Sequence, residues 1–368
     1  MLFYAIASFL LIGALFEFCL FSKNKKNNIK PRVGYAVLFL FLIFFCGFRA
    51  QGVDRDYPEY LNILKQIPSF PDVIFHDLSD VHGDPIFYFI SSLINLFGAP
   101  SYLLFFLFSL LSLSIYWRCF LKQSYLPWLS LLIYFCHSFL NKEMTQIRNG
   151  LSSALIFLAL CYIGDKKNIK AYLAFLLSFL SHSSGLVGFL ILFYKKTTRS
   201  TRSSYVICLL LSFFIYLVWH SIFLMLPQDW SLVQKVNLYF VWDSYNYSLS
   251  FSNPIFLRQI VFFILFLYIK TKYSWDEKLN AFLFSYLLSI CIYIIFNDIA
   301  ILGARLSNML ACSEYILIPY SIATLLKNNR VLEGFVIFLI AVLLSSGLLY
   351  SNLEIKNIFL DYKTVLDL

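Results

Sequence analysis

The chain has 368 residues, of which 60% are hydrophobic and only 13% are charged, and its mean hydropathy is +0.75. These proportions exclude an ordinary water-soluble protein and indicate one that crosses a membrane many times. A net charge of +9 would suit nucleic-acid binding in a soluble chain, but here most basic residues stand in short loops between apolar segments. Such loops face anionic lipid headgroups, so we expect no nucleic-acid partner.

Apolar segments fill the chain from end to end, and a spanning helix needs about 20 mostly apolar residues. Their apolar runs are continuous, whereas lipid-facing barrel strands alternate. The sequence therefore predicts an all-α fold, a polytopic membrane helical bundle of about 11–12 hydrophobic segments, as a single transmembrane domain over residues 1–368 that could adopt a GT-C-like architecture. The segments are 2–21, 33–48, 85–97, 102–117, 125–140, 147–163, 171–194, 204–226, 255–269, 279–296, 300–321 and 332–350.

Charge sets the expected sidedness. No basic region precedes the first segment, and a basic stretch at 22–32 follows it, so we expect an uncleaved segment with its amino terminus outside. The positive-inside rule makes 22–32 cytoplasmic. It places the loop 49–84, with three basic and seven acidic residues, on the extracytoplasmic side, and the interval 227–254 also falls there.

The middle of the chain allows two layouts. If every segment crosses, the basic stretches 118–122 and 166–170 lie outside, which the charge rule disfavours. We favour a layout in which 85–97 only dips into the bilayer and 171–194 breaks at His182-Ser-Ser-Gly185. This layout brings five polar side chains to the outer face, namely Asp56, Asp84, Glu143, Arg148 and His182.

The loop after the second segment is dense in charge for a chain of this composition. Arg49 follows the apolar run directly, and Arg55 is flanked by Asp54 and Asp56. These charges could simply be solvated at a helix end, with the tyrosines in the interfacial belt. Alternatively, the arginines grip a diphosphate through charge-assisted hydrogen bonds while one carboxylate remains free as a base. The two tyrosines of this loop are Tyr57 and Tyr60.

Three further polar motifs each have an ordinary explanation and a functional one. Asp84 precedes Pro85, so helix capping alone could explain it. Arg148, five residues after Glu143, could snorkel to the interface or could face an internal cavity that holds an anion. His182 could hydrogen-bond between helices, or could line a cavity where it moves a proton or orients a phosphate.

Weaker signals complete the set. The segment 300–321 contains Arg305 and Glu314. A basic residue buried in such a segment, here Arg305, needs a partner. The eight cysteines show no Cys-x-x-Cys spacing and are interpreted as small buried hydrophobes, so neither disulfides nor a zinc site is expected. Aromatic side chains of the interval 227–254 could stack on sugars or merely populate the interface, and these are Trp230, Tyr239, Trp242, Tyr245 and Tyr247.

In their order along the chain, these motifs resemble the EpsG-like branch of the Wzy polysaccharide polymerases. The resemblance runs from residue 47 to about residue 190. Its elements are Phe48-Arg49, then Gly-Val-Asp-Arg-Asp-Tyr-x-x-Tyr at 52–60, an acidic residue before Pro-Ile-Phe at 84–87, Ile-Arg-Asn-Gly-Leu at 147–151 and His-Ser at 182–183. Two positions differ from the family pattern: Asp84 stands where glutamate is more frequent, and Ser152-Ser153 stands where an alanine is usual.

The resemblance implies a multi-pass bacterial inner-membrane enzyme with its active site facing the periplasm. Such an enzyme joins undecaprenyl-diphosphate-linked oligosaccharide repeat units by glycosyl transfer and releases the lipid diphosphate. By the motif positions and the chemistry of that reaction, we expect His182, Asp56 and Asp84 to be catalytic. We expect substrate binding by Arg49, Arg55, Tyr57, Tyr60, Glu143, Arg148 and Arg305.

No metal or other cofactor is expected, since the sugar arrives activated and no phosphate-loop or dinucleotide motif occurs. Membrane lipids, a flippase and a chain-length regulator are the partners that this function would imply. Two alternatives remain open: a lipid-linked glycan ligase with the same donor, and a flippase or transporter of the lipid-linked unit. The transporter alternative has less support, because no internal repeat or matched pair of broken helices is visible.

Overall fold

The computed structural model describes residues 2–25, 32–78, 81–195, 202–230, 233–234, 237, 248–356, 359 and 362–366. Within these ranges the regular structure is helical, and β-pairing is limited to two isolated bridges. Four of the aromatic residues considered above, Tyr239, Trp242, Tyr245 and Tyr247, lie outside the described residues.

Seven helices are long and apolar enough to cross a membrane, and five shorter apolar helices of 10–17 residues accompany them, counted over the described residues. The prediction of an all-α polytopic bundle is therefore confirmed, and the chain is a multi-pass membrane protein. The helices are α1 (Leu2–Asn24), α2 (Arg32–Gly47), α3 (Tyr57–Gln66), α4 (Pro85–Leu96), α5 (Tyr102–Gln123), α6 (Pro127–Tyr134), α7 (Ile147–Gly164), α8 (Asn168–Ser181), α9 (Arg202–Leu224), α10 (Pro254–Lys272), α11 (Asn280–Ile295), α12 (Ala300–Leu310), α13 (Glu314–Lys327) and α14 (Val331–Tyr350).

The sequence predicts one transmembrane domain, and the structure groups the chain into two compact units. The first unit contains residues 1–162, 166–186 and 318–368. In it, α2 packs along α5, α1 packs along α6, and α4 lies against α3, α5 and α8. The second unit contains residues 163–165 and 187–317. Its centre is α11, which packs against α9, α10 and α12 and is buried along nearly its whole length.

The predicted break in the segment 171–194 is confirmed. Helix α8 ends at Ser181, His182 has an extended backbone, and a 3-10 helix continues over Ser183–Phe193. The chain packs closely at the break, at Gly185. A Cβ at this position would lie 2.5 Å from the backbone of Ser178, so the close approach requires glycine. The short segment that begins at Pro85 is also confirmed as one helix of 12 residues, about 18 Å long, against a hydrocarbon core of about 30 Å.

Two predicted spans are less regular than their hydropathy indicates. The segment 125–140 is α-helical over Pro127–Tyr134, then forms a π-helix over Phe135–Phe139 and one α-turn over Leu140–Lys142. A 3-10 turn at Ala311–Ser313 separates α12 from α13. Hydropathy measures polarity alone, so it does not reveal such changes of helical pitch.

Candidate functional site

The first arginine of the charged loop is held from two sides. Arg49 Nε lies 2.6 Å from Asp54 Oδ2, and Nη1 donates to the carbonyl of Cys46 at 2.7 Å. Both side chains of the ion pair are fully buried. Pairing makes such burial tolerable, because an isolated charge in this position would be strongly disfavoured.

Asp54 connects this ion pair to the following helix. Its second carboxylate oxygen accepts the backbone N–H groups of Asp56 and Tyr57, each at 3.0 Å. These N–H groups belong to the first turn of α3, where no intrahelical acceptor exists. One carboxylate therefore fixes both Arg49 and the start of the helix that carries Tyr57 and Tyr60.

The second arginine is paired with the aspartate that precedes Pro85. Arg148 Nη1 donates to Asp84 Oδ2 at 2.9 Å, and Asp84 Oδ1 accepts the backbone N–H of Ser183 at 3.2 Å. Asp84 occupies the N-cap position of α4, yet its side chain makes no capping hydrogen bond. Its carboxylate instead joins the first residues of α7 to the break after α8.

One aromatic cluster carries both guanidinium groups. Arg49 lies over the ring of Phe105 at 4.6 Å and over that of Tyr57 at 5.6 Å. Arg148 lies over Phe87 at 5.5 Å and over Tyr60 at 5.8 Å. Tyr60 joins the two halves, because its ring centroid lies 5.7 Å from that of Phe87 and 6.1 Å from that of Phe105. Cation–π contact with desolvated rings stabilises each guanidinium.

The tyrosine hydroxyls keep their protons in this setting. Burial raises the pKa of Tyr60 to about 12, an effect that the nearby charge of Arg148 opposes and that of Asp56 increases. Burial also raises the pKa of Tyr57. Both phenols are therefore hydrogen-bond donors at neutral pH. Asp56, which is partly exposed, lies one helical turn before Tyr60, and its backbone carbonyl accepts the N–H of Tyr60 at 3.1 Å.

His182 lies at the break itself and is partly exposed. Its Nδ1 accepts the backbone N–H of Ser184 at 3.1 Å. In the neutral imidazole the proton is then on Nε2, which faces away from that bond as a donor. Ser183 lies between His182 and Ser184, and its backbone N–H donates to Asp84. His182 is therefore linked to the Asp84–Arg148 pair through its neighbour in the chain.

Donor capacity remains on both arginines. Within the described ranges, Nη2 of Arg49 and Nε of Arg148 are buried and have no hydrogen-bond partner. The two residues differ in access, since Arg49 is 0% exposed and Arg148 is 7% exposed. Arg148 is therefore the arginine that an anion can contact directly. Arg49 is fully buried and can act on the anion only through its charge.

The other predicted residues take different positions. Glu143 is buried, and its carboxylate accepts hydrogen bonds from Ser112 and Tyr134, so it supports the turn that precedes Arg148. Arg55 is exposed and donates to the carbonyl of Lys356 at 3.1 Å. Substrate binding by Glu143 and Arg55 stays a prediction.

Arg305 belongs to the second unit and is partly exposed. The buried pair of that unit is instead Arg258 with Glu314, whose closest atoms lie 3.3 Å apart. Sequence reasoning did not single out Arg258, because one arginine in an apolar segment gives no indication of its partner. No group of three His, Cys, Asp or Glu side chains that could hold a metal ion occurs in the part of the chain that the structure describes.

Sequence reasoning also missed Phe105 and the C-terminal residues that contact the Arg49 loop. Phe105 lies within a continuous run of apolar residues, where nothing distinguishes it from its neighbours. Residues near 360 have no apolar run long enough to predict a spanning helix, and their partners are about 300 positions away.

Comparison with known proteins gives two matches and one negative result. The chain is 25% identical, over 373 aligned positions, to the Amylovoran biosynthesis protein AmsC of Erwinia amylovora, with 91% of each chain covered. No solved structure matches it. The profile of the EpsG family matches residues 32–364. The resemblance inferred from residues 47 to about 190 is thereby confirmed, and because the match takes in most of the sequence, the chain belongs to the EpsG family.

Proposed function

We propose that the protein is a polysaccharide polymerase that joins undecaprenyl-diphosphate-linked oligosaccharide repeat units. Membership of the EpsG family and similarity to a protein of amylovoran biosynthesis support a role in polysaccharide biosynthesis. The observation that carries the proposal is the state of Arg148: a slightly exposed guanidinium, paired with Asp84, with a buried Nε that has no partner among the described residues.

The reaction explains why such an arginine is needed. A hydroxyl oxygen of the acceptor unit attacks the anomeric carbon of the donor, and the bond from that carbon to the diphosphate oxygen breaks. The bonding electrons leave with the diphosphate, so its negative charge grows as the bond lengthens. Fixed donors that are already oriented stabilise this charge without reorganisation. We assign that role to Arg148, with Tyr60 as a second donor beside it and Arg49 as a buried charge behind it.

The acceptor hydroxyl also loses a proton, which a base must take. Asp84 is occupied by Arg148 and by the backbone of Ser183, so we assign it to positioning. Asp56 is partly exposed and lies near Tyr60, and we propose it as the base. His182 presents an Nε2–H donor, which suits contact with a phosphate oxygen. We also propose substrate binding by Arg305, which lies in the second unit.

The location of the reaction is part of the proposal. We place the protein in the bacterial inner membrane with the charged loop 49–84 on the periplasmic side, because the basic stretch 22–32 favours the cytoplasm. A flippase would supply the lipid-linked unit to that side, and a chain-length regulator would act on the growing product.

The test is an Arg148→Ala substitution in cells whose chromosomal copy is deleted. We expect the variant to reach the membrane in normal amount and to leave the surface glycan as single, unpolymerised repeat units. Arg118→Ala is the matched control, because Arg118 is an exposed arginine in the same unit, and it should give the normal ladder of chain lengths.

Three other outcomes would argue against the proposal. A normal ladder in Arg148→Ala removes the assigned role. Loss of all surface glycan, with lipid-linked units trapped inside the cell, indicates a flippase. Full-length polymer that accumulates on lipid but is not transferred to its surface acceptor indicates a ligase.

A further inference from the structure

The C-terminal residues pair with the loop that carries the buried ion pair. Val365 N–H donates to the carbonyl of Phe48 at 2.8 Å, and Ala50 N–H donates to the carbonyl of Lys363 at 2.9 Å. These two bonds lie on either side of Arg49, which forms an antiparallel bridge with Thr364. We call residues 356, 359 and 362–366 the C-terminal strap.

A second bridge places Phe359 opposite Asp54. Each member of the Arg49–Asp54 ion pair therefore has a strap residue across from its own backbone. Arg55 adds a third connection, through its hydrogen bond to the carbonyl of Lys356 at 3.1 Å. The strap thus follows the loop from residue 48 to residue 55 in antiparallel direction.

Aromatic contacts attach the strap to the helices below it. The ring of Tyr362 stacks on that of Phe45 with centroids 4.2 Å apart and planes inclined by 7°. Its hydroxyl donates to the carbonyl of Phe45 at 2.7 Å, close to the last turn of α2. Phe359 packs against Phe3 of α1 at 5.3 Å. The strap is therefore a packed element rather than a solvated terminus.

The loop needs this support because its own bonding is sparse. Residues 48–54 leave the helix at the edge of an apolar region, where backbone N–H and C=O groups without partners are costly. Gly52 has a φ of +95°, so the loop turns sharply between the two members of the ion pair. The strap supplies the partners of Phe48 and Ala50 that fix where the turn begins.

We propose that the C-terminal strap is a positioning element of the site. It holds the backbone of Arg49 and Asp54, and Asp54 in turn holds the start of α3, which carries Tyr57 and Tyr60 to the second arginine. The catalytic consequence rests on the proposed polymerase function, whereas the release of the loop on loss of the strap does not.

The sharpest variant removes one backbone donor and little else. Val365→Pro abolishes the N–H that bonds to Phe48, while Val365→Ala keeps it and serves as the matched control. Leu366→Pro, at an exposed position one residue further on, controls for proline itself, because the N–H that it removes bonds to the hydroxyl of Thr364 at 3.3 Å and not to the loop. A chain that ends at residue 355 removes the whole strap.

Two measurements are made on each variant. All variants except the deliberate truncation are full-length. The first readout is the surface glycan ladder relative to the amount of protein in the membrane. The second is maleimide labelling in detergent of a Val53→Cys reporter, which is 1% exposed as valine, with the buried native Cys119 of the same unit as an internal reference.

We expect Val365→Pro and the truncated chain to lose about tenfold or more of polymerisation per molecule, since small displacements of catalytic groups are costly. Labelling at position 53 should accelerate while Cys119 stays protected. Val365→Ala and Leu366→Pro should resemble the parent in both readouts.

Two results would overturn the inference. Normal polymerisation in both Val365→Pro and the truncated chain shows that the strap is dispensable. Parallel labelling of position 53 and Cys119 shows that the strap serves general folding of this unit and not the site. If the parent protein itself fails to restore polymer, the proposed function is wrong, and the labelling at position 53 still decides whether the strap holds the loop.

Discussion

At the scale of single residues, Asp84 shows how two explanations of one motif can be separated. Its position before Pro85 favours a helix cap, whereas its place in the family motif favours a catalytic role. In the structure the N-cap position is occupied but the capping bond is absent, and the carboxylate bonds to Arg148 and to the backbone of Ser183. The partners of a side chain, which are distant in sequence, decide between the two explanations.

A graded series at Asp84 tests its positioning role. Asp84→Glu keeps the charge and should retain most of the activity, because the longer side chain still reaches Arg148. Asp84→Asn removes the charge that fixes the guanidinium, and we expect about 10- to 100-fold less polymer per membrane-inserted molecule. The glycan ladder, normalised to protein abundance, measures the series. Equal activity of Asp84→Asn and the parent would contradict the role.

Gly185 allows a prediction about stability at the break in the segment 171–194. Gly185→Ala places a Cβ 2.5 Å from the backbone of Ser178, so the two chain segments must separate. We expect a cost of about 1–3 kcal/mol, seen as a lower melting temperature in detergent. Gly347→Ala is the matched control: nothing lies within 4 Å of its added Cβ, and an alanine in the last turn of α14 should be neutral or slightly stabilising.

At the scale of helices, the two units use buried charge differently. In the first unit the two buried arginines, Arg49 and Arg148, are each paired with a carboxylate and also lie on aromatic rings. In the second unit Arg258 of α10 and Glu314 of α13 meet at 3.3 Å, and Tyr286 of α11 donates to the same carboxylate oxygen at 3.4 Å. The sequence predicted that Arg305 is the buried basic residue of this region, and that prediction is wrong: Arg305 is partly exposed, and Arg258 is the arginine buried against Glu314.

This pair can be tested by removing one or both charges. Arg258→Met alone leaves Glu314 buried without its counter-charge, and we expect a loss of about 3–5 kcal/mol. The double variant Arg258→Met with Glu314→Met should recover most of that loss, since neither charge then remains buried. Thermal unfolding of purified protein in detergent, with Glu314→Met also measured alone, gives the values to be compared. A double variant as unstable as the sum of the single variants would show that the ion pair is not coupled.

At the scale of the whole molecule, hydropathy predicts the class of protein and most helices because a chain in lipid must satisfy its backbone internally. The segments starting at Pro85 and Ile147, and the break at His182, follow from apolar length and polar interruptions alone. The π-helix at Phe135–Phe139, the partner of each arginine and the strap do not. Each depends on contacts between residues tens to hundreds of positions apart, which no local pattern encodes.

The expected sidedness of the first unit is also testable. The native cysteines are first replaced, and a cysteine is then introduced at exposed position His76. In sealed right-side-out inner-membrane vesicles, whose outer surface is the periplasmic face, this cysteine should react with a membrane-impermeant maleimide added outside. A cysteine at exposed Lys167 should react only from the cytoplasmic side, as the layout with a dipping helix α4 requires. Reaction of both positions from one side would contradict that layout.

The ring of Phe105 has a consequence for any mutational scan of this protein. It contains only carbon and hydrogen, yet its face meets the guanidinium of Arg49 at 4.6 Å and the ring of Tyr57 at 3.9 Å in a nearly parallel stack. A leucine of comparable hydrophobicity has no flat surface to offer either neighbour. A mutational scan limited to ionisable residues would therefore miss part of the site, because the flat ring of Phe105 helps to hold the positive charge of Arg49 in place.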